Sequence, residues 1–206
     1  MIRDPKDLQR YTASERANHW VVGISFILLA LSGLAFFHPA FFPLTQLFGG
    51  PTWARILHPY LGALMTLSFI ALFFRFRRLN QMTSVDRQWL SRVGEMVNGD
   101  DHNMPEQGKY NGGQKALFWA LSVCMLLMAV SGVLIWRAWF GFDVSWVRLG
   151  AVVHAATGAV IIALIMVHVY AAIWVKGTIR AMWYGTVTRA WAKQHHRGWY
   201  RQVTGK

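Results

Sequence analysis

Four histidines stand in apolar, helix-length stretches, and each is followed four positions later by a small residue: His19 with Gly23, His58 with Gly62, His154 with Gly158 and His168 with Ala172. Residues i and i+4 share one helix face, so each imidazole stands over a flat gap in its own helix. A planar cofactor held edge-on to a helix needs that arrangement. Histidine is costly in hydrocarbon, and an ionisable side chain there marks a functional site. Four of them make two bis-histidine sites, and the natural guest of each is haem b. Zinc fits poorly, because a structural zinc wants four ligands converging on one point and these four split between two depths.

The elements that must carry these histidines follow from hydropathy. Of the 206 residues, 54% are hydrophobic and 15% charged, against about 25% charged in soluble domains. The apolar residues gather in four blocks of membrane-spanning length: 18–37, 54–75, 114–136 and 149–175. Tryptophans mark the block ends (Trp20, Trp53, Trp136, Trp139, Trp146, Trp174), as an interfacial aromatic belt does. The expected fold is all-α: an integral membrane four-helix bundle of the di-haem cytochrome b type, one membrane domain over 1–206. A 76–113 connection and an interfacial tail over 176–206 complete it; in the tail, basic and aromatic residues alternate. The first block is longer than the hydrophobic part of a signal peptide and carries a patterned histidine, so it is expected to be retained. The single cysteine, Cys124, excludes an intrachain disulfide, an iron–sulfur cluster held by this chain alone and a thioether-linked haem; it is expected to be a packing residue.

The net charge of +12 reports topology rather than nucleic acid. The N-terminal tail holds Arg3, Lys6, Arg10 and Arg16. The 76–113 connection and its flanks hold Arg75, Arg77, Arg78, Arg87, Arg92, Lys109 and Lys115. The C-terminal tail holds Lys176, Arg180, Arg189, Lys193, Arg197, Arg201 and Lys206. The other two connections hold only Arg55, Arg137 and Arg148. The positive-inside rule then places both termini and the long connection of this multi-pass membrane protein in the cytoplasm, touching anionic membrane lipid.

Depth follows from that topology. His58 and His154 fall near the outer ends of the second and fourth helices, His19 and His168 toward the cytoplasmic side. Fourteen residues separate His154 from His168, about 21 Å along a helix axis and nearly a whole number of turns. One helix can thus supply one ligand to each of two stacked haems: His58 with His154 outside, His19 with His168 inside. His19 lies closer to its helix end than His168 does, so the fourth helix must be tilted or overlong. Arg16, Arg55, Arg148 and Lys176 stand where haem propionates would need cations and equally where snorkelling anchors belong. His38, His102, His195 and His196 lie in polar or interfacial surroundings and are expected to be solvated or to face headgroups.

With these residues in hand, the chain resembles the cytochrome b (gamma) subunits of membrane-bound respiratory formate dehydrogenases. The resemblance covers nearly the whole chain. It rests on Arg10-Tyr11-Thr12 with Glu15-Arg16 and Asn18-His19-Trp20, on Ala54-Arg55-Ile56-Leu57-His58-Pro59, and on Tyr110-Asn111-Gly112-Gly113-Gln114-Lys115. Ser131-Gly132, Val167-His168-Val169-Tyr170, Trp174-Val175-Lys176-Gly177-Thr178 and the tail Trp191-Ala192-Lys193, His195-His196, Trp199-Tyr200 extend it. The resemblance implies the same haem pairings and a quinone (menaquinone or ubiquinone) reduced beside the inner haem, with Asn111, Gly113 and His168 in its pocket. From the residues alone, Asn111-Gly112-Gly113 could equally be a loop and helix entry, and a polar Gln114 at the membrane surface could grip a quinone carbonyl. It also implies an iron–sulfur beta subunit, a periplasm-facing alpha subunit with a molybdenum or tungsten pterin, and a possible trimer of heterotrimers.

The resulting expectation is an electron wire, quinone-reducing at its inner end, that generates proton motive force because oxidation occurs outside and proton uptake inside. Formate oxidation would lie on a partner chain. A cytochrome b subunit of a hydrogenase or another molybdoenzyme would use the same bundle with a different donor. A proton channel or transporter would want acidic partners, and the four apolar blocks contain no Asp or Glu. A plain membrane anchor explains neither the histidine depths nor their spacing.

Overall fold

The structure, a computed structural model, describes residues 6–98 and 103–205; Arg3, His102 and Lys206 lie outside the described residues. Helices α1 (Ala13–Phe37), α2 (Pro51–Phe76), α3 (Ser84–Ser91), α4 (Val93–Val97), α5 (Gly112–Ile135), α6 (Val144–Trp174), α7 (Thr178–Tyr184), α8 (Arg189–His195) and α9 (Arg197–Thr204) follow one another. A 3₁₀ helix, Pro39–Phe48, joins α1 to α2, and strands β1 (Leu8–Gln9) and β2 (Thr186–Val187) pair antiparallel. Among the described residues four helices, α1, α2, α5 and α6, are long and apolar enough to cross a membrane.

Each of these four begins before its apolar block, because polar first turns are set by local chemistry that hydropathy does not register. At α1, Glu15 accepts from the Thr12 N–H (2.7 Å) while Thr12 Oγ1 accepts from the Glu15 N–H (3.3 Å), a reciprocal cap. Before α2, Gly49 and Gly50 take left-handed φ values of 85° and 100°, and Pro51 supplies a first turn whose N–H is not needed. Helix α6 spans 31 residues, about 46 Å, well beyond the ~30 Å of a hydrocarbon core. The 76–113 connection also contains regular structure, in α3 and α4.

The described residues divide into two compact units, one of 17–73 with 121–167, the other of 6–16, 74–98, 103–120 and 168–205. The first is a four-helix bundle. Its core joins Met65 and Phe69 of α2, Cys124 and Met125 of α5 and Ile161 of α6, with Val22, Phe26 and Leu29 of α1 packed against them. Cys124 is a buried packing residue there. Helices α5 and α6 approach closely at Gly150, where a methyl group would stand 2.9 Å from Leu134 Cβ.

The second unit is tied together by its chain ends. Leu8 pairs with Val187 and Gln9 with Thr186, and the Gly185 carbonyl accepts from the N–H groups of Arg10 (2.8 Å) and Tyr11 (3.1 Å). Gly185 needs its left-handed φ of 80° and its lack of a side chain, because a Cβ would fall on the Tyr11 carbonyl and the Arg16 guanidinium. Asp7 pairs with Arg180. Helix α3 packs on the start of α5: Cβ atoms at Gly112 and Gly113 would meet the Asp86 carbonyl oxygen at 2.6 Å and the Trp89 ring at 2.9 Å.

Candidate functional site

Within the bundle, His58 on α2 and His154 on α6 face one another with ring centroids 6.3 Å apart and planes 64° from parallel. Two imidazoles bound to one metal from opposite sides, each through a bond of about 2.0–2.1 Å, have centroids on the order of 6 Å apart. Among the described residues no group of three or more His, Cys, Asp or Glu converges to hold a metal. Two axial nitrogens without further protein ligands are what a porphyrin iron takes, since the macrocycle fills the other positions. Cβ atoms at Gly62 and Gly158, one turn beyond each histidine, would meet nothing within 4 Å, so both helix faces are open beside the rings. These features fit a haem.

Both imidazoles are held from behind by serines of the neighbouring helices. Ser32 Oγ of α1 lies 2.7 Å from His58 Nδ1, and Ser131 Oγ of α5 lies 2.9 Å from His154 Nδ1. Each serine also donates to the carbonyl four residues back in its own helix, Leu28 at 2.9 Å and Leu127 at 2.6 Å. Both are fully buried. Neither was singled out as a ligand-holding residue from the sequence. The available signal was a serine–glycine step, Ser32-Gly33 and Ser131-Gly132, inside two otherwise apolar helices.

Of the other two patterned histidines, His19 belongs to the bundle unit, its ring edge-on to Trp20 at 5.8 Å, with open space at Gly23. His168 is the first α6 residue of the other unit. Among the cation candidates, Arg16 donates to the Tyr11 carbonyl (3.2 Å), and Arg55, Arg148 and Lys176 are exposed.

Asn111 and Gln114 form a reciprocal cap on α5: Asn111 Oδ1 accepts from the Gln114 N–H (2.9 Å) and Gln114 Oε1 accepts from the Asn111 N–H (3.1 Å). Each amide oxygen thereby accepts one bond, and the NH₂ groups are the donors of these two side chains. Lys115 pairs with Asp86 at 2.7 Å. Burial alone would raise the Asp86 pKa, but hydrogen bonds from Lys115 and Thr83 hold it below the usual carboxylate value. An open cleft of about 310 Å³ beside this segment is lined by Arg78, Thr83, Lys109, Tyr110, Lys115 and Gln202. Lys109 is held below its ordinary pKa by burial and the neighbouring Arg10 charge, despite Glu15. Burial drives Tyr110 upward, so it is neutral.

His196 corrects an expectation: it is buried, not solvated. Its Nδ1 bonds the Gly108 carbonyl (2.8 Å) and its Nε2 lies 3.3 Å from Arg10 Nη2. Burial and the Arg10 charge hold its pKa down to about 3. The reason is Arg10, itself buried, whose guanidinium sits 4.9 Å from the centroids of both Trp191 and Trp199 and bonds the Lys109 carbonyl. His38 is exposed, its Nδ1 accepting from the Ala40 N–H at the 3₁₀ helix start, and His195 packs against Trp191.

Facing imidazoles in a bundle of membrane-capable helices are the arrangement of a b-type membrane cytochrome. Residues 10–185 match the family model described as prokaryotic cytochrome b561, and the chain belongs to that family. Membership implies haem b and, with four membrane-capable helices, makes the chain a bacterial integral membrane protein. Its relatives are more particular. The formate dehydrogenase cytochrome b556(fdo) subunit of Escherichia coli (strain K12) is 46% identical over 196 residues, 94% of this chain and 92% of the relative. The nitrate-inducible formate dehydrogenase cytochrome b556(Fdn) subunit of the same organism is 43% identical over 92% of this chain and 88% of its own length. The formate dehydrogenase cytochrome b556 subunit of Haemophilus influenzae is 39% identical over 94% of this chain and 82% of its own length.

Proposed function

We propose that this chain is the di-haem b membrane subunit of a formate dehydrogenase of the bacterial inner membrane. It carries electrons from a periplasm-facing iron–sulfur subunit to a quinone reduced near the cytoplasmic face. The observation that carries this reading is the His58/His154 pair, 6.3 Å apart between open helix faces, in a chain 46% identical to a formate dehydrogenase cytochrome b556 subunit. Reversible one-electron transfer is the chemistry that haem b supplies when bound. His58 and His154 hold the outer group; His19 and His168, paired by their depth along the sequence, hold the inner one. The serines orient the outer pair, and the apolar core of Met65, Phe69, Met125 and Ile161 excludes water and keeps the local dielectric low.

At the inner end, Asn111 and Gln114 keep amide N–H donors available after capping α5, suited to quinone carbonyls, while Gly113 sits between them with its bare face against the Trp89 ring. His168 stands as the fourth member. Protons enter from the cytoplasmic side, where both termini and the 76–113 connection lie under the positive-inside rule. Electrons entering outside and protons consumed inside build the membrane potential, each charge being worth about 2.3 kcal/mol per 100 mV. The alpha subunit, with its molybdenum or tungsten pterin, oxidises formate.

The test is a reduced-minus-oxidised spectrum and a pyridine haemochrome assay of the subunit purified with its partners. Two low-spin b haems per chain are expected. A folded, assembled complex with no haem in this chain overturns the reading.

A further inference from the structure

We infer that Ser32 and Ser131 are positioning residues for the His58/His154 site: each fixes its histidine as the Nδ1–H tautomer, leaving Nε2 as the lone-pair donor, and each tunes how strongly that ring donates to a metal. The inference rests on the haem-ligand reading above.

A serine hydroxyl has one hydrogen and two acceptor lone pairs. A backbone carbonyl can only accept. The Ser131 oxygen lies 2.6 Å from the Leu127 carbonyl, and the Ser32 oxygen 2.9 Å from the Leu28 carbonyl, so each hydroxyl hydrogen is committed to its own helix. What remains facing the ring is an acceptor. The nitrogen it meets, Nδ1 at 2.9 Å and 2.7 Å respectively, must therefore carry the proton. A neutral imidazole protonated at Nδ1 has its lone pair on Nε2.

The next residue completes the clasp. A Cβ at Gly33 would stand 3.6 Å from His58 Cε1, and one at Gly132 3.5 Å from His154 Cε1. Each ring thus meets a hydroxyl at Nδ1 and bare backbone at Cε1. The device occurs twice, α1 holding α2 and α5 holding α6, with both serine side chains fully buried.

A hydrogen bond donated by the distal N–H of a ligating imidazole raises its basicity. A more basic ligand favours the oxidised, more positive metal. Serine is a neutral acceptor, so it strengthens the ligand less than a carboxylate would and leaves the ring uncharged.

Threonine and valine share a shape and differ in the hydroxyl. The experiment makes Ser32→Thr, Ser32→Val and Ser32→Ala, and the same three at 131, in the complex purified with its partner subunits. Redox titration followed optically and low-spin electron paramagnetic resonance are the readouts. Threonine variants are expected to keep the wild-type potential. Valine and alanine variants are expected to raise the midpoint of one haem of the two, leaving the other fixed, and to alter only its resonance. Selective loss of one haem from the valine and alanine variants, with threonine loaded, supports the same role. Equal potentials for valine and threonine variants, shifted or not, overturn it, as do alanine variants that titrate like wild type. A wild-type complex without haem in this chain instead overturns the functional reading itself.

Discussion

In the bundle, every buried polar side chain among the described residues is a hydroxyl: Ser25, Ser32, Thr45, Ser131 and Thr157. In the unit built from the chain ends, the buried polar side chains are Arg10, Asn80, Asp86, Gln107 and His196, all charged, amide or imidazole. The difference is one of charge and, for the ionic and imidazole groups, of reach; Asn80 and Gln107 still bond backbone carbonyls four and two residues back, at Phe76 and Pro105. Three of the hydroxyls bond their own backbone three or four residues away: Ser32 to Leu28, Thr45 to Phe42, Ser131 to Leu127. Such a group enters an apolar bundle already satisfied. A buried guanidinium or carboxylate needs partners from elsewhere, and the second unit supplies them across long stretches of chain: Arg10 to residues 109, 191, 196 and 199, Asp86 to Lys115. Among these buried hydroxyls, Ser32 and Ser131 also reach a neighbouring helix, and both do so at the histidines.

The largest expected effect tests that exception. His58→Ala or His154→Ala should halve the haem content measured by pyridine haemochrome, and His168→Ala should cost the inner haem together with quinone reduction. Retained two-haem spectra in either outer variant would show that the pair is packing, like its surroundings. Next comes Arg10→Met, which removes a desolvated cation from two indole faces and a charge-assisted bond. A loss of about 3 kcal/mol is expected, read as faster hydrogen exchange over 107–110 and 189–200 with unchanged haem spectra. A matching change in the bundle would erase the contrast.

Gly113→Ala places a methyl group 2.9 Å from the Trp89 ring and should destabilise the α3–α5 contact by about 1–3 kcal/mol, lowering quinone reductase activity. Adding Trp89→Phe, a smaller ring, should relieve the clash while keeping α3 anchored; if it restores the activity too, Gly113 acts through packing rather than by touching quinone.

A pH series sharpens the comparison further. Folded His196 stays neutral down to about pH 3, whereas an unfolded histidine takes a proton near 6.5. Between those values the unfolded state binds more protons, so stability of this unit should fall as the pH drops through that window. Limited proteolysis across pH should show the loss in wild type and a flatter profile in His196→Gln. Asn111→Ala is the smallest change, about 1 kcal/mol from the lost cap; a larger fall in kcat than in stability would separate its donor role from capping.

Much of this was legible beforehand, for identifiable reasons. Hydropathy over some twenty residues finds a membrane helix, and a one-turn spacing from histidine to glycine survives any packing of that helix. The starts of α1 and α6 escaped because polar first turns look like connection. Helix α3 escaped because it is eight residues long and anchored by a single tryptophan, Trp89. The serine clasps span 26 and 23 residues between different helices, and no local pattern records such a contact. His196 looked solvated amid basic neighbours, since the residue that buries it stands 186 positions earlier.

The pairing of residues 8–9 with 186–187 has a consequence for biogenesis. Synthesis runs from the N-terminus, so every residue of the bundle has been added by position 167, while β1 and Arg10 must wait for β2, Trp191, His196 and Trp199. The terminal unit is therefore a late-closing clasp, and a nascent chain passes through a stage in which the bundle is complete and the clasp is open. A chain stopped at residue 184 should remain at that stage, its N-terminal segment still open to protease.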